Sequence, residues 1–154
     1  MEKIYFTKTG IELFVQKIKR DEARMAEMSA RLGHLAEVGG DQYHDNFSYE
    51  QQTMELRMLS NKLSNDRKVL ENATIIEDYS NNNQSIFIGS SVKLKFDQET
   101  QLWKILGYGE SDPKNYKTAY NTPLGKILMG KKKGDIIKYN MNSKIVTIQI
   151  LEIV

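Results

Sequence analysis

Residues 39–50 read GGDQYHDNFSYE, and their reading decides the fold. Gly39 and Gly40 stop whatever helix precedes them, because glycine takes the left-handed closing conformation at little cost. Asp41 and Asp45 follow where plain turn residues would suffice. Ser48-Tyr49-Glu50-Gln51 then offers a capping box for a new helix, with Asn46 as a rival cap. A connection this short joins its two flanking helices antiparallel. The stretch is therefore the acidic tip of a helical hairpin.

The flanks carry the matching pattern. Upstream, Ile11, Phe14, Ile18, Asp21, Met25, Met28, Leu32 and Leu35 recur at alternating steps of three and four. Downstream, Tyr49, Gln52, Leu56, Leu59, Leu63, Asp66 and Leu70 do the same. Both are heptad seams with one acidic interruption each. Thr9-Gly10-Ile11-Glu12 reads as the capping box that opens the first helix. At 1.5 Å per residue, about 30 residues make a helix of roughly 45 Å. Folding about residue 43 sets Asp21 level with Asp66, where two carboxylates repel unless cations intervene. Arg20, Arg24 and Arg67 are near enough in sequence to do so. Met54 and Met58 fall off the seam, as does His34.

Beyond Asp78-Tyr79-Ser80-Asn81-Asn82-Asn83-Gln84, a polar run without periodicity, the pattern changes. Segments 86–88, 92–96, 102–106, 136–139 and 145–150 are rich in β-branched and aromatic residues and read as strands. Asp97-Gln98-Glu99-Thr100 and Asn142-Ser143 read as hairpin turns, and the last strand as central and covered on both faces. Thr122 is a candidate N-cap with Pro123 at the first helical position and Gly130 closing a two-turn helix. Phe87, Phe96, Trp103, Tyr108, Tyr116 and Tyr120 read as core of the small sheet. The fold class expected is α+β: a coiled-coil hairpin over 1–77, a linker over 78–84, and an antiparallel sheet with one short helix over 85–154.

The totals narrow the function classes. Of 154 residues, 40% are hydrophobic and 27% charged, which is ordinary globular composition. There is no cysteine, so thiolate metal sites and disulfides are excluded. With no membrane-length apolar run and no signal-like N-terminus, a cytoplasmic location, no membrane association and a monomer are expected. Net charge is +2, and neither half is strongly basic. Contact with nucleic acid is therefore expected inside a larger assembly rather than by autonomous binding. All five arginines lie in the first half, and the cations of the second are all lysines.

Gly40-Asp41 followed by Asp45-Asn46-Phe47-Ser48-Tyr49 is similar to the Gly-Asp-x-x-Glu-Asn-x-x-Tyr signature of the bacterial Gre (GreA/GreB) transcript-cleavage and elongation factors. Asn121-Thr122-Pro123-Leu124-Gly125 and Gly130-Lys131-Lys132-Lys133-Gly134-Asp135 look like that family's Ser-Pro-Leu-Gly and Gly-Lys-x-x-Gly-Asp motifs. Thr7 and Gly10 stand at the helix start as they do in the family. In this order the chain resembles the family over nearly its full length.

The resemblance implies an FKBP-like C-terminal domain without isomerase activity. It implies RNA polymerase as partner, with Asn121, Thr122 and Pro123 contributing to docking at the rim of the secondary channel. It implies that Asp41 and Asp45, supported by Asn46 and Tyr49, reach the active centre and help hold a second Mg²⁺ near the nascent RNA 3′ end. The chain would then be no enzyme itself but an accessory that stimulates the polymerase's own cleavage of backtracked transcripts. One departure bears on this. Gln42, Tyr43 and His44 put three residues between the acids where the family has two, and the second acid is Asp rather than Glu. A misplacement of about 1 Å can cost a hundredfold in rate. A Gre-like regulator or inhibitor that occupies the channel without promoting cleavage is the alternative.

Overall fold

A computed structural model describes residues 3–38, 46–76, 84–97, 99–141 and 144–154. In chain order it contains β1 (Ile4–Phe6), α1 (Lys8–Val38), α2 (Asn46–Glu71), β2 (Ala73–Ile75), β3 (Ser91–Phe96), β4 (Glu99–Leu106), β5 (Lys117–Ala119), α3 (Pro123–Leu128), β6 (Ile136–Met141) and β7 (Lys144–Ile153). Two compact units form. One is the hairpin, Glu12–Ala73; the other joins Lys3–Ile11 to Thr74–Val154. The N-terminal strand and the first turn of α1 thus pack with the sheet, although the sequence division at residue 77 grouped them with the hairpin. Among the described residues no helix is long and apolar enough to cross a membrane.

In the hairpin unit the seams are where the periodicity puts them. Phe14, Ile18, Leu32, Leu59 and Leu63 are buried, while Met54 and Met58 are 62% and 63% exposed. Asp21 bonds Lys62 at 2.5 Å and Asp66 bonds Lys17 at 3.4 Å. Partner numbers fall along α2 as they rise along α1, which is the antiparallel arrangement. The cations bonded to the two carboxylates are therefore lysines from the opposite helix rather than Arg20, Arg24 or Arg67. Arg67 instead pairs with Glu22. An arginine next in sequence to a seam residue points away from the seam, whereas a lysine one turn away on the facing helix lies across it. The Lys62 hydrogen bond, reinforced by the charges of Lys62, Lys17 and Arg24, lowers the Asp21 pKa despite opposing desolvation.

Helix boundaries differ from the sequence reading at both starts. Thr7, not Thr9, caps α1, its hydroxyl accepting from the Gly10 N–H at 2.9 Å. α2 is already formed at Asn46, so Ser48 lies inside it and accepts from the Gln52 amide at 3.4 Å instead of capping.

The sheet unit is a five-stranded sheet in the order β5-β4-β3-β7-β6, with β1 and β2 paired separately. All pairs in the five-stranded sheet are antiparallel except β4–β5, which is parallel. Alternation along β3 and β7 puts Val92, Leu94, Ile148 and Ile150 on one face, fully buried with Ile86, Ile105 and Leu128. α3 covers that face with Leu124, Ile127 and Leu128. The other face meets solvent: Ile145 is 74% exposed. β7 is therefore flanked on both edges but covered on one face only. Segment 86–88 is irregular rather than a strand, with a turn at 88–89. Its Ile86 is held by backbone bonds to Gly130 and Lys131, which anchor it in the core without a ladder.

Candidate functional site

Three threonine- and glycine-based contacts build the segment that carries Asn121, Thr122 and Pro123. Thr122 takes an extended conformation and its Oγ1 accepts from the Gly125 N–H at 3.1 Å. The same hydroxyl donates to the Ala119 carbonyl at 2.7 Å. Its one proton is then used, so in the 2.7 Å contact with Thr118 it is Thr118 that donates. Gly125 is required: a Cβ there would overlap the Ala119 carbonyl oxygen. Pro123 needs no N–H at the first helical position and is exposed, while Asn121 and Thr122 are half-buried. Ser111 accepts from the Ala119 N–H at 2.9 Å, and Tyr120 bonds Leu106 at 2.9 Å. The sequence placed this cap correctly, and the packing makes it a rigid edge.

A cavity of about 680 Å³ opens beside it. The cause is a mismatch of lengths. α3 has six residues and spans about 9 Å, whereas ten-residue β7 runs about 33 Å. The helix covers Ile148 and Ile150 but leaves the far end of the same sheet face open. Phe96 of β3, Trp103 of β4, and Tyr139 and Val146 of β6 and β7 line that end. Thr122, Pro123 and Leu124 form one wall, and Ser111 and Pro113 another. Trp103 is fixed by its indole N–H donating to Gln101 at 3.0 Å, by a tilted contact to Phe96 and by an edge contact to Tyr116, with centroids 6.1 and 5.7 Å away. Phe96 and Trp103 are therefore cavity walls more than core. Tyr139, read only as a strand residue, joins them because it stands opposite Val146 in the β6–β7 register.

The opening of α1 contains a residue that sequence reasoning missed. Glu110 accepts from the Thr7 hydroxyl at 2.9 and 2.7 Å and from the Thr7 N–H at 3.2 Å. This is the role a glutamate three residues after the cap plays in a capping box. Here that position is Gly10, and a Cβ on it would overlap the Glu110 carboxylate. The box is closed from 103 residues away, so no local pattern could have announced it.

The tip residues Asp41, His44 and Asp45 lie outside the described residues. Asn46 is the first residue of α2, and Tyr49 stands in its first turn, 42% exposed. Among the described residues no cluster of His, Asp or Glu is placed to hold a metal. Two carboxylates are hard oxygen ligands of the kind Mg²⁺ accepts while keeping several waters.

Residues 81–154 match the family model described as transcription elongation factor, GreA/GreB, C-terminal. A GreA of Acetivibrio thermocellus is 26% identical over 156 aligned positions, covering 99% of this chain and 96% of the relative. A GreA of Clostridium botulinum is 29% identical, covering 91% and 84%. Among solved structures, Gfh1, a GreA factor homologue of Thermus thermophilus, aligns over 99% of both chains at 23% identity with a TM-score of 0.48. The C-terminal unit matches the family model, and the relatives extend the match through the hairpin. Residues 81–154 thus match the GreA/GreB C-terminal domain, and nearly the whole chain is similar to GreA transcription elongation factors.

Proposed function

We propose that the chain is an accessory factor of bacterial RNA polymerase that acts on backtracked transcripts through the tip of its hairpin. The observation that carries this reading is the pairing of similarity to GreA factors with a long, seam-packed hairpin. α1 alone has 31 residues, a reach of about 46 Å. Its two ends of function are separate. Asn121, Thr122 and Pro123, on the rigid edge beside the cavity, dock the sheet unit on the rim of the secondary channel. Asp41 and Asp45 travel on the hairpin to the active centre.

Asp41 and Asp45 would help hold a second Mg²⁺ there, which supplies charge neutralisation for phosphodiester cleavage. The chain's own work is positioning: it presents two carboxylates on a stiff support, with Asn46 and Tyr49 at the base of the tip. The three residues between the acids favour a second reading, a factor that occupies the channel without promoting cleavage. Both readings share the docking step.

Titration of the full chain against cognate polymerase tests that step. Pro123→Asp is expected to weaken binding about tenfold or more, because it places a charge and an unpaired N–H at the contact. Asp41→Ala is expected to bind like the parent. Equal binding by Pro123→Asp would contradict the docking role of the segment.

A further inference from the structure

The open end of the sheet face has a chemistry of its own. Its floor and walls are aromatic and aliphatic, with Phe96, Trp103 and Tyr139 close together. Among the described residues the charged ones lining it are Asp97 and Glu99, both carboxylates, and no lysine lines it. Neither acid has a cationic partner among the described residues, where every ion pair lies in the hairpin. Asp97 is held in place, its Oδ1 accepting from the Thr147 N–H at 3.1 Å and its own N–H bonding the Thr147 carbonyl at 3.0 Å. Glu99 stands opposite Phe96 in the β3–β4 register, on the aromatic side of the sheet.

The hydroxyls point the same way. The protons of Thr122 and Thr118 are already given to Ala119 and to Thr122, so these side chains offer the cavity lone pairs and no donors. Carboxylates, aromatic faces and hydroxyl acceptors together favour a cationic donor. An anion would meet like charge there, and the Thr122 and Thr118 protons are already used.

We infer that this cavity binds a basic side chain, the guanidinium of arginine or the ammonium of lysine, presented by a partner polypeptide next to apolar residues. The apolar neighbours occupy the aromatic floor, and the cation lies against the ring faces and the two carboxylates. This deepens the docking reading proposed above, because Thr122 and Pro123 belong to the same rim. It draws on that reading only for the partner's identity.

Trp103 is the only tryptophan in the chain, so the cavity carries its own reporter. The full chain is titrated with a capped pentapeptide, acetyl-Ala-Leu-Arg-Leu-Ala-amide, following Trp103 emission. The same peptide with citrulline, the uncharged isostere, and with glutamate replacing arginine provides the comparison. The arginine peptide is expected to shift the emission saturably, the citrulline peptide to bind about tenfold more weakly, and the glutamate peptide not to bind. Asp97→Asn with Glu99→Gln is expected to remove the difference between arginine and citrulline. Asparagine keeps the Thr147 acceptor and tolerates the left-handed φ of 48° at this position, and an unchanged melting temperature confirms folding. Equal affinity for arginine and citrulline, or no emission change at millimolar peptide, overturns the inference. No polymerase enters this titration. Failed peptide binding alongside intact polymerase binding removes the ligand assignment alone, and peptide binding without polymerase binding removes the docking reading alone.

Discussion

Two helices of this molecule start on the same device, and they differ in what closes it. Thr7 opens α1 and Thr122 opens α3; each accepts from the N–H of a glycine three residues on, Gly10 and Gly125. Each threonine also donates its proton to an oxygen outside the helix. For Thr122 that oxygen is the Ala119 backbone carbonyl, three residues away. For Thr7 it is the Glu110 side chain, more than a hundred residues away. The glycines are required for the same reason, since a Cβ on either would overlap the oxygen its threonine bonds. The difference lies in what can yield. A carboxylate can swing aside and a backbone carbonyl in a tight turn cannot, so the Thr122 segment is the more rigid of the two.

That difference sets the order of the expected effects. Gly125→Ala should be the most damaging, costing about 3 kcal/mol by overpacking against backbone, with no single side-chain change able to relieve it. Thermal melting of the full chain measures the loss, and polymerase binding should weaken with it. Glu110→Ala should cost about 2 kcal/mol, because it leaves the buried Thr7 hydroxyl and N–H without their acceptor. Gly10→Ala should destabilise the parent chain. In the Glu110→Ala background the same change should instead stabilise by about 1 kcal/mol, the helix-propensity gain of alanine over glycine. A Gly10→Ala effect of the same sign in both backgrounds would break the comparison.

The smallest effect belongs to the hairpin. The folded Asp21 pKa is lowered below its unfolded value by the hydrogen bond from Lys62. Its contribution is therefore fully present above the unfolded pKa and is lost as pH falls through the folded one. It should amount to less than about 1 kcal/mol, since the lysine is exposed. Helicity followed by circular dichroism from neutral to acid pH should show this loss in the parent and its absence in Asp21→Asn.

The same contrast between local and distant closure explains what the sequence made legible. The seams, the Thr122 cap with Pro123 after it, and the four long strands are repeats or local pairs, so their signals lie within a few residues. Glu110 closing on Thr7 is a long-range event without a pattern. The strands β1, β2 and β5 have three residues each, too short for an alternation to register. The cavity depends on α3 being much shorter than the sheet it covers, a relation between elements rather than within one. The lysines facing Asp21 and Asp66 were missed because sequence proximity was weighed where cross-helix geometry decides. Asp41 and Asp45 were read as chemistry from two carboxylates in a turn, and they lie outside the described residues.

The measurement that tests the central claim most directly is transcript cleavage in stalled, backtracked complexes of cognate RNA polymerase. The full chain is expected to shorten the RNA. Asp41→Ala and Asp45→Ala are each expected to slow this about a hundredfold, while binding to the polymerase is retained. RNA shortening that proceeds unchanged in both variants would contradict the assignment of the tip. Tight binding with no shortening by the parent chain would contradict the cleavage role and leave a factor that only occupies the channel.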